Sequence, residues 1–351
     1  MIENRTFDAD IEAVLLNKYI DWELMRGKSF FVTGATGLIG TLLVNSLVAA
    51  NRKIHLDIKI TVLVRNIEKA EKRLDKDDCL SIIVGDVLNI PEVNDNIDFI
   101  VHAASNTSSK AFVENPVEVS KTTLLGTMNL LELAKIKKVS SFVFLSTMEV
   151  YGTPHTDEKI SENHGTDLKT MVVRTCYPEG KRMCENLCAS YNFEYAVPTK
   201  VLCLTQTFGP GVEYSDGRVF AEFARCSIEN RNIVLHTKGE TKRNYLYTVD
   251  AISAILLVLL KGQAGEKYNA ANEDTYCSIY EMAQMVANDS NNNIMVEIQE
   301  TDAEKLGYAP VLHMNLDTTK LCDLGWRADT GLTEMFRNLI SYMKEERSKV
   351  S

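Results

Sequence analysis

The sequence has no long apolar run, no excess of positive charge and no obvious set of metal ligands. Its longest apolar stretch, Ala251–Leu260, is too short to span a membrane. The formal net charge of −10 argues against a surface that binds nucleic-acid phosphates, but it permits a local basic pocket for an anionic ligand. The N-terminus has no basic segment followed by an apolar one, as a signal peptide would. We therefore expect a cytoplasmic protein that binds neither nucleic acid nor membrane.

The sequence also has few cysteine and histidine spacings of the kind that bind metals. The chain has eight cysteines, and Cys184 and Cys188 would share one helix face. No second Cys-x-x-Cys and no histidine pair completes a metal site around them, so we expect no metal and free thiols. There are no internal repeats and no low-complexity tracts. At 351 residues, the chain is long enough for two lobes with a full core.

A glycine-rich turn follows the first apolar strand. The segment Gly34-Ala35-Thr36-Gly37-Leu38-Ile39-Gly40 stands between the strand Lys28–Thr33 and the helical run Thr41–Ala50. Gly34 permits the tight turn, Gly37 lets the backbone approach a pyrophosphate, and Gly40 lets the helix pack on the strand. The helix N-terminus provides free N–H groups for that anion. In this context the pattern predicts a dinucleotide-binding site.

Later strands supply further candidates for the cofactor site. Arg65 follows the second strand, where a carboxylate suits NAD and an arginine suits the 2′-phosphate of NADP; it is equally consistent with a solvated surface cation. Asp86 follows the third strand and could meet the adenine amino group. The predicted cofactor site comprises Gly34, Thr36, Gly37, Leu38, Ile39, Gly40, Arg65, Asp86, Val87, Ala103 and Ala104, with Tyr177 and Lys181. We expect NAD, with NADP as the alternative because of Arg65.

Tyr177 and Lys181 provide the catalytic hypothesis. Four residues apart, they would project from one face of a helix, where the ammonium would lower the pKa of the phenol. Upstream, the strand Ser141–Thr147 ends at Thr147, and Glu149 follows two residues later. A polar loop of about two dozen residues then leads to Tyr177, longer than a connection needs. We expect Tyr177 and Lys181 to be catalytic, with Thr147 and Glu149 near them at the strand end.

Together these features resemble the extended short-chain dehydrogenase/reductase superfamily, in its NAD(P)-dependent epimerase/dehydratase branch. The resemblance implies that Thr147 hydrogen-bonds the sugar hydroxyl, Tyr177 removes its proton as hydride leaves for the nicotinamide, and Lys181 contacts the nicotinamide ribose. Four segments are most similar to UDP-glucuronate decarboxylases (UDP-xylose synthases), namely Ser146–Gly152, Arg174–Arg182, Thr207–Pro210 and Asp216–Val219. Glu149 resembles the acid/base of decarboxylases and 4,6-dehydratases alike.

The same resemblance assigns the substrate site. Arg243 falls where the family has an arginine at the substrate diphosphate, and a guanidinium fork matches phosphate oxygens. We expect the substrate-binding residues to be Met148, Gln206, Arg218, Val219 and Arg243. Met148, Gln206, Thr123 and Arg65 depart from the family pattern, which indicates a divergent nucleotide-sugar enzyme.

The expected fold is α/β: a Rossmann-like doubly wound parallel sheet with a smaller C-terminal α/β substrate lobe. We expect an N-terminal helical extension over 1–26, capped by Asp8 or Asp10. An NAD(P)-binding domain over 27–204 would follow, with the chain returning to it near 243–262, and a mainly substrate-binding lobe over 205–351. A homodimer is expected through helices 116–136 and 177–192, whose apolar residues exceed what one core needs. The residues expected at this interface are Val119, Leu130, Met183 and Leu187.

The predicted function is oxidation of a nucleotide-sugar at C4, followed by use of the 4-keto intermediate, as in UDP-glucuronate decarboxylase. Three enzymatic alternatives remain: a dTDP-glucose 4,6-dehydratase-like reaction, a 4-epimerase, or an NADPH-dependent reductase of a nucleotide-keto-sugar, which Arg65 and Met148 favour. A non-catalytic NAD(P)-binding scaffold is a further alternative, against which the complete Thr147, Tyr177 and Lys181 set argues.

Overall fold

A computed structural model describes residues 4–290, 294–300 and 311–350. Within them the strands are β1 (Ser29–Thr33), β2 (Lys59–Val64), β3 (Leu80–Val84), β4 (Phe99–His102), β5 (Ser141–Thr147), β6 (Thr199–Leu204), β7 (Gln206–Phe208), β8 (Ile233–Leu235), β9 (Lys242–Tyr247), β10 (Lys267–Ala270), β11 (Asn272–Ser278), β12 (Val296–Ile298) and β13 (His313–Met314). The helices are α1 (Arg5–Leu15), α2 (Leu38–Ile54), α3 (Ile67–Arg73), α4 (Ser109–Glu114), α5 (Pro116–Lys137), α6 (Cys176–Tyr195), α7 (Val219–Glu229), α8 (Thr248–Lys261), α9 (Ile279–Asp289), α10 (Thr319–Asp323) and α11 (Leu332–Val350).

Seven strands form one large sheet in the order β10-β6-β5-β4-β1-β2-β3. Every pairing in it is parallel. Its central strands are apolar and buried because helices cover both faces, as parallel strands require. The order reverses between β1 and β4, and ligands bind such sheets at the carboxyl ends beside this switch point. The predicted Rossmann-like doubly wound α/β fold is confirmed.

The region 243–262, where the chain was expected to return to the first domain, contains most of a strand of another sheet and a helix that packs on the large sheet. Residues 242–247 form β9 of a separate four-stranded sheet. The return begins with α8, which packs on β5 and β6, and ends with β10, which pairs with β6. The small sheet joins β7, β9, β11 and β13, while β8 and β12 form a third, two-stranded sheet.

The N-terminal extension folds as the helix α1, but its cap is neither Asp8 nor Asp10. Asn4 caps it by accepting hydrogen bonds from the backbone N–H groups of Thr6 and Phe7. Asp10 instead lies buried, where the Tyr247 hydroxyl donates to it at 2.6 Å. The helix packs against α2, α8 and α11. It therefore belongs to the main core, as the packing interpretation of its apolar spacing predicts.

Several of the remaining elements were not predicted from the sequence, among them α3, α9, β9, β10 and β11. The strand expected at 294–296 is β12 at Val296–Ile298. The helix α4 was not predicted, because six residues are too few to show a helical period. All eight cysteines are free thiols, and Cys184 and Cys188 are buried on one face of α6. Among the described residues, no helix is long and apolar enough to cross a membrane.

Candidate active site

The glycine-rich turn joins β1 to α2 at the switch point of the large sheet. Gly34 has a φ of 73°, and a Cβ there would lie 2.6 Å from the carbonyl carbon of Ala103. A Cβ at Gly40 would lie 2.7 Å from the Cα of Ala35. Gly37 precedes the first residue of α2, and a Cβ there would lie in tight contact, 3.3 Å from Gly34 O. The turn is therefore closed to side chains but open to a ligand, as a dinucleotide cradle requires.

The other predicted cofactor residues border this turn. The backbone N–H of Ala103 donates to Thr33 O at 3.2 Å, and that of Ala104 to Thr33 Oγ1 at 3.3 Å. Thr36 O accepts from Arg73 Nη1 at 3.1 Å. Leu38 and Ile39, the first residues of α2, are partly buried against the main core.

The ends of β2 and β3 carry Arg65, Asp86 and Val87. Arg65 is exposed, without a hydrogen bond or ion pair among the described residues. Lys69, a nearby cation four residues further along, pairs with Glu213 at 3.5 Å. Asp86 accepts the backbone N–H of Leu88 at 2.9 Å, and Val87 is buried. Arg65 is the one of these cations that remains free to meet a ligand phosphate.

Thr147 and Tyr177 meet at the carboxyl end of β5. The Tyr177 side chain is 6% exposed, and the Thr147 hydroxyl is within hydrogen-bonding reach of its phenol. Ser105 Oγ, just beyond β4, makes no hydrogen bond of regular geometry, yet it lies close enough to favour the ionised phenol. The structure therefore brings together the predicted hydroxyl and phenol, with a second hydroxyl beside them.

Lys181 is buried on α6 together with Tyr177, and its ammonium bonds a main-chain carbonyl. Burial and then repulsion by Glu149 raise the pKa of Tyr177, while the Thr147 and Ser105 hydroxyls lower it. The Lys181 ammonium donates to Leu145 O at 2.7 Å and lies 4.5 Å from the centre of the Phe144 ring. Burial lowers its own pKa to about 8. The lowered phenol pKa predicted from the spacing is therefore wrong for this arrangement, because Lys181 Nζ bonds a carbonyl of β5.

Glu149 forms an ion pair that the sequence analysis did not assign. Its Oε2 accepts from Arg174 Nη1 at 2.7 Å, and about a third of each side chain is exposed. The Arg174 guanidinium lies 5.6 Å from the centre of the Phe112 ring, which stacks on Tyr177 at 4.4 Å with an interplanar angle of 8°. An acid, a cation and an aromatic ring thus surround the phenol.

The predicted substrate residues separate into two groups. Met148 is buried in an apolar cluster, and Thr205 Oγ1 lies 3.3 Å from its sulfur. Gln206, the next residue, accepts from Arg243 Nη1 at 3.0 Å, while Arg243 Nε is buried without a partner among the described residues. The structure therefore connects Met148, Gln206 and Arg243 along one edge.

Arg218 and Val219 lie apart from these contacts, at the start of α7. Arg218 makes a bidentate ion pair with Asp216, with Nη2 2.5 Å from Oδ2, and lies over the Phe220 ring. Val219 is the first residue of α7. Among the described residues, neither has a recorded contact with Gln206 or Arg243.

Three residues of the site were not predicted: Ser105, Phe112 and Arg174. Arg174 had a usable signal, since it stands three residues before Tyr177 and a half-buried Glu149 needs a counter-charge. Phe112 had none, because α4 is too short to predict. Among the described residues, no group of three or more His, Cys, Asp or Glu side chains could hold a metal.

This turn, sheet and phenol define a dinucleotide-binding α/β enzyme. The sequence matches the profile of the NAD dependent epimerase/dehydratase family over residues 30–271, and the chain belongs to that family, whose cofactor is NAD. It is thus an enzyme acting on nucleotide-sugars, in the extended short-chain dehydrogenase/reductase class.

Named relatives refine this similarity. UDP-glucuronic acid decarboxylase 1 of Xenopus tropicalis is 27% identical over 91% of this chain and 73% of its own. UDP-glucuronic acid decarboxylase 6 of Arabidopsis thaliana is 30% identical over 75% of this chain and 76% of its own. The solved UDP-N-acetylglucosamine 4-epimerase of Methanobrevibacter ruminantium, 19% identical, superposes with a TM-score of 0.80 over 92% of this chain and all of its own. The last likeness concerns the fold alone.

Proposed function

We propose that the chain is a cytoplasmic, homodimeric UDP-glucuronate decarboxylase-type enzyme that oxidises the sugar at C4 and then removes the C5 carboxylate as CO2. The observation that carries this proposal is the Glu149 carboxylate beside Tyr177, close enough to raise the pKa of the phenol. A plain 4-epimerase has no need of a second acid/base at this place. The names of the similar decarboxylases support the same substrate.

The residues suggest how the reaction would proceed. When bound, NAD accepts a hydride from C4 and later returns it. Tyr177 takes the proton of the C4 hydroxyl, which the Thr147 hydroxyl orients, and a positive charge near the phenol would favour this step. In the resulting 4-keto acid the C5–carboxylate bond breaks, and its electron pair moves toward the C4 oxygen, where Tyr177 and Thr147 stabilise the negative charge. C5 then needs a proton, which Glu149 would relay from solvent, since about a third of its side chain is exposed.

Arg243 would hold the substrate diphosphate. Its Nη1 is fixed by Gln206 and its Nε is buried without a partner among the described residues. A buried unpartnered donor is costly, so a ligand oxygen at this place is favourable. The guanidinium fork also suits phosphate. Arg218 is a weaker candidate, because Asp216 already occupies its fork.

The deciding experiment is incubation of the NAD-loaded protein with UDP-, dTDP-, GDP- and CDP-sugars, with products analysed by mass spectrometry. We expect UDP-glucuronate to lose the mass of CO2 and yield a UDP-pentose. Loss of water from dTDP-glucose would instead establish a 4,6-dehydratase. An isomer of unchanged mass would establish an epimerase. Either outcome without CO2 release would overturn the proposal.

One observation favours a second candidate, the NADPH-dependent reductase. Arg65 is exposed and unpaired among the described residues, so it is free to meet a 2′-phosphate. Fluorescence titrations with NADH and NADPH separate the two candidates. Tighter binding of NADPH in the wild type, lost in Arg65→Asp, would favour the reductase; equal or tighter NADH binding favours internal recycling of NAD.

A further inference from the structure

Arg174 is held at the mouth of the site by the short turn that precedes α6. Its guanidinium bonds Glu149 on one side and lies over Phe112 on the other. Phe112 in turn stacks on the Tyr177 ring, and the chain around it is tied by a contact from Cys176 Sγ to Phe112 O at 3.4 Å. The cation is therefore positioned next to the reacting phenol and does not extend freely into solvent.

The fork of Arg174 is only partly used. An arginine has five N–H donors, and among the described residues Nη1 alone makes a hydrogen bond, to Glu149. About 35% of the side chain is exposed, so the remaining donors can reach a ligand. By contrast, Lys181 is buried and donates to Leu145 O, and Arg182 on the same helix pairs with Glu179 at the surface. Arg174 is thus the described cation that contacts Glu149 and still has donors to offer.

The Glu149–Arg174 ion pair would also reduce the repulsion between Glu149 and an acidic sugar. A sugar carboxylate that approached Glu149 alone would be repelled by its charge, and two nearby carboxylates disfavour each other's ionised forms. A guanidinium can donate hydrogen bonds to two carboxylates, one on each edge of its fork. Arg174 would then bridge Glu149 and the substrate.

We propose that Arg174 is a specificity-determining residue that binds an anionic group on C5 of the sugar, a carboxylate, while it keeps its bond to Glu149. This inference rests on the proposed function for the identity of the sugar acid. Because the negative charge moves from the carboxylate to the C4 oxygen as neutral CO2 departs, such a contact stabilises the bound substrate more than the reaction's transition state. Arg174 therefore contributes to affinity and to the choice between acidic and neutral sugars.

The test measures binding of UDP-glucuronate and UDP-glucose by calorimetry, using NAD-loaded protein with Tyr177→Phe so that the sugars are not consumed. In this background we expect tighter binding of the acid. Arg174→Gln should weaken the binding of UDP-glucuronate about 10- to 100-fold, because hydrogen bonds between charged groups are lost. The affinity for UDP-glucose should stay nearly unchanged. Arg174→Lys should give an intermediate loss, because it keeps the charge without the fork. The matched control Arg182→Gln should change neither affinity.

A second background separates direct recognition from an effect through Glu149. If Arg174 binds the sugar carboxylate, Arg174→Gln should still remove the preference for the acid when Glu149→Gln is also present. A preference that is unchanged by Arg174→Gln, or a loss that disappears in the Glu149→Gln background, overturns the inference. Release of CO2 from UDP-glucuronate by the wild type is scored separately, so that failure of the proposed function is recognised independently.

Discussion

At the residue scale, the proposed chemistry depends on a single hydroxyl, that of Tyr177, which is almost removed from solvent. Replacing Tyr177 with phenylalanine deletes that hydroxyl and preserves the ring that stacks on Phe112. We expect kcat to fall about 10²- to 10⁴-fold with unchanged folding and NAD binding, since this is the range of general acid–base contributions. The control is Tyr195→Phe, on the exposed end of the same helix, which should keep full activity. Full activity in Tyr177→Phe would remove Tyr177 from the mechanism.

In the proposed mechanism, Glu149 decides which second step follows oxidation. Glu149→Gln keeps the shape of the side chain and can still accept a hydrogen bond from Arg174, but it cannot transfer a proton. We expect the first hydride transfer to survive, so that reduced nicotinamide accumulates when UDP-glucuronate is added, while product formation stalls. Stopped-flow absorbance of the reduced cofactor, followed by product analysis, measures both steps. Turnover at the wild-type rate would make Glu149 a structural partner of Arg174.

At the element scale, the sequence predicts well what is local and periodic. β5 was predicted with its observed bounds because an uninterrupted apolar run buried on both faces has few alternatives. The turn at Gly34 was predicted because it needs a residue with positive φ and no Cβ. By contrast, the second sheet of β7, β9, β11 and β13 was not predicted, because the alternation of a strand does not specify which sheet it joins.

Long-range polar contacts were the part of the site that no local pattern encodes. The pair Glu149–Arg174 spans 25 positions and the bond from Tyr247 to Asp10 spans 237. For Lys181, the spacing from Tyr177 predicted the shared helix face, but it did not predict that Lys181 Nζ donates to Leu145 O. Spacing on a helix fixes which face a side chain occupies, and burial then selects its partner.

The docking of α1 leads to a prediction on stability. Asp10 is 4% exposed, and burial raises its pKa to about 7, despite hydrogen bonds from Tyr247 and Thr248 that lower it. The folded protein therefore binds a proton more tightly than the unfolded chain does. The stability that Asp10 contributes through this proton is fully present below pH 4 and is lost as the pH rises through about 7.

Asp10→Asn should remove this loss. We expect the variant to be more stable than the wild type at pH 8 by on the order of 2–4 kcal/mol, and the difference to shrink toward pH 5. Urea unfolding of both proteins at several pH values measures the difference in their free energies of unfolding. Asp250 also has a raised pKa that acts in the same direction, but it is present in both proteins and cancels in this difference. Asp21→Asn, at an exposed position, is the control. A difference that does not change with pH would contradict the assignment.

At the scale of the whole molecule, one residue joins the two parts of the site. β6 of the large sheet ends at Leu204 and β7 of the small sheet begins at Gln206, so Thr205 alone separates them. Its hydroxyl donates to Asn244 O at 2.7 Å, on the strand that carries Arg243. The catalytic edge of the large sheet and the proposed diphosphate site are thus linked through backbone and buried hydrogen bonds, which supports a fixed spacing between them.

The surface of α5 and α6 bears on the predicted homodimer. Two of the four residues named for it, Val119 and Leu130, are buried in the protomer, so that part of the prediction is wrong. Other apolar side chains of α5 are exposed at helical spacing, namely Val117, Leu125, Met128 and Ile136, and Met183 of α6 is 47% exposed. A cavity of about 590 Å³ opens beside this stripe, lined in part by Val172 and Val173. A second copy would bury this surface.

We therefore predict a dimer formed through α5 and α6, and its loss when this stripe is charged. Light scattering across micromolar concentrations should give twice the mass of the chain for the wild type. The double substitution Leu125→Glu and Met128→Glu should give a monomer, because glutamates facing their symmetry mates would be desolvated and would repel each other. Leu16→Glu, at an 83% exposed leucine beyond α1, should remain dimeric. A wild type that is monomeric throughout, or a dimer that tolerates both glutamates, would rule out this interface.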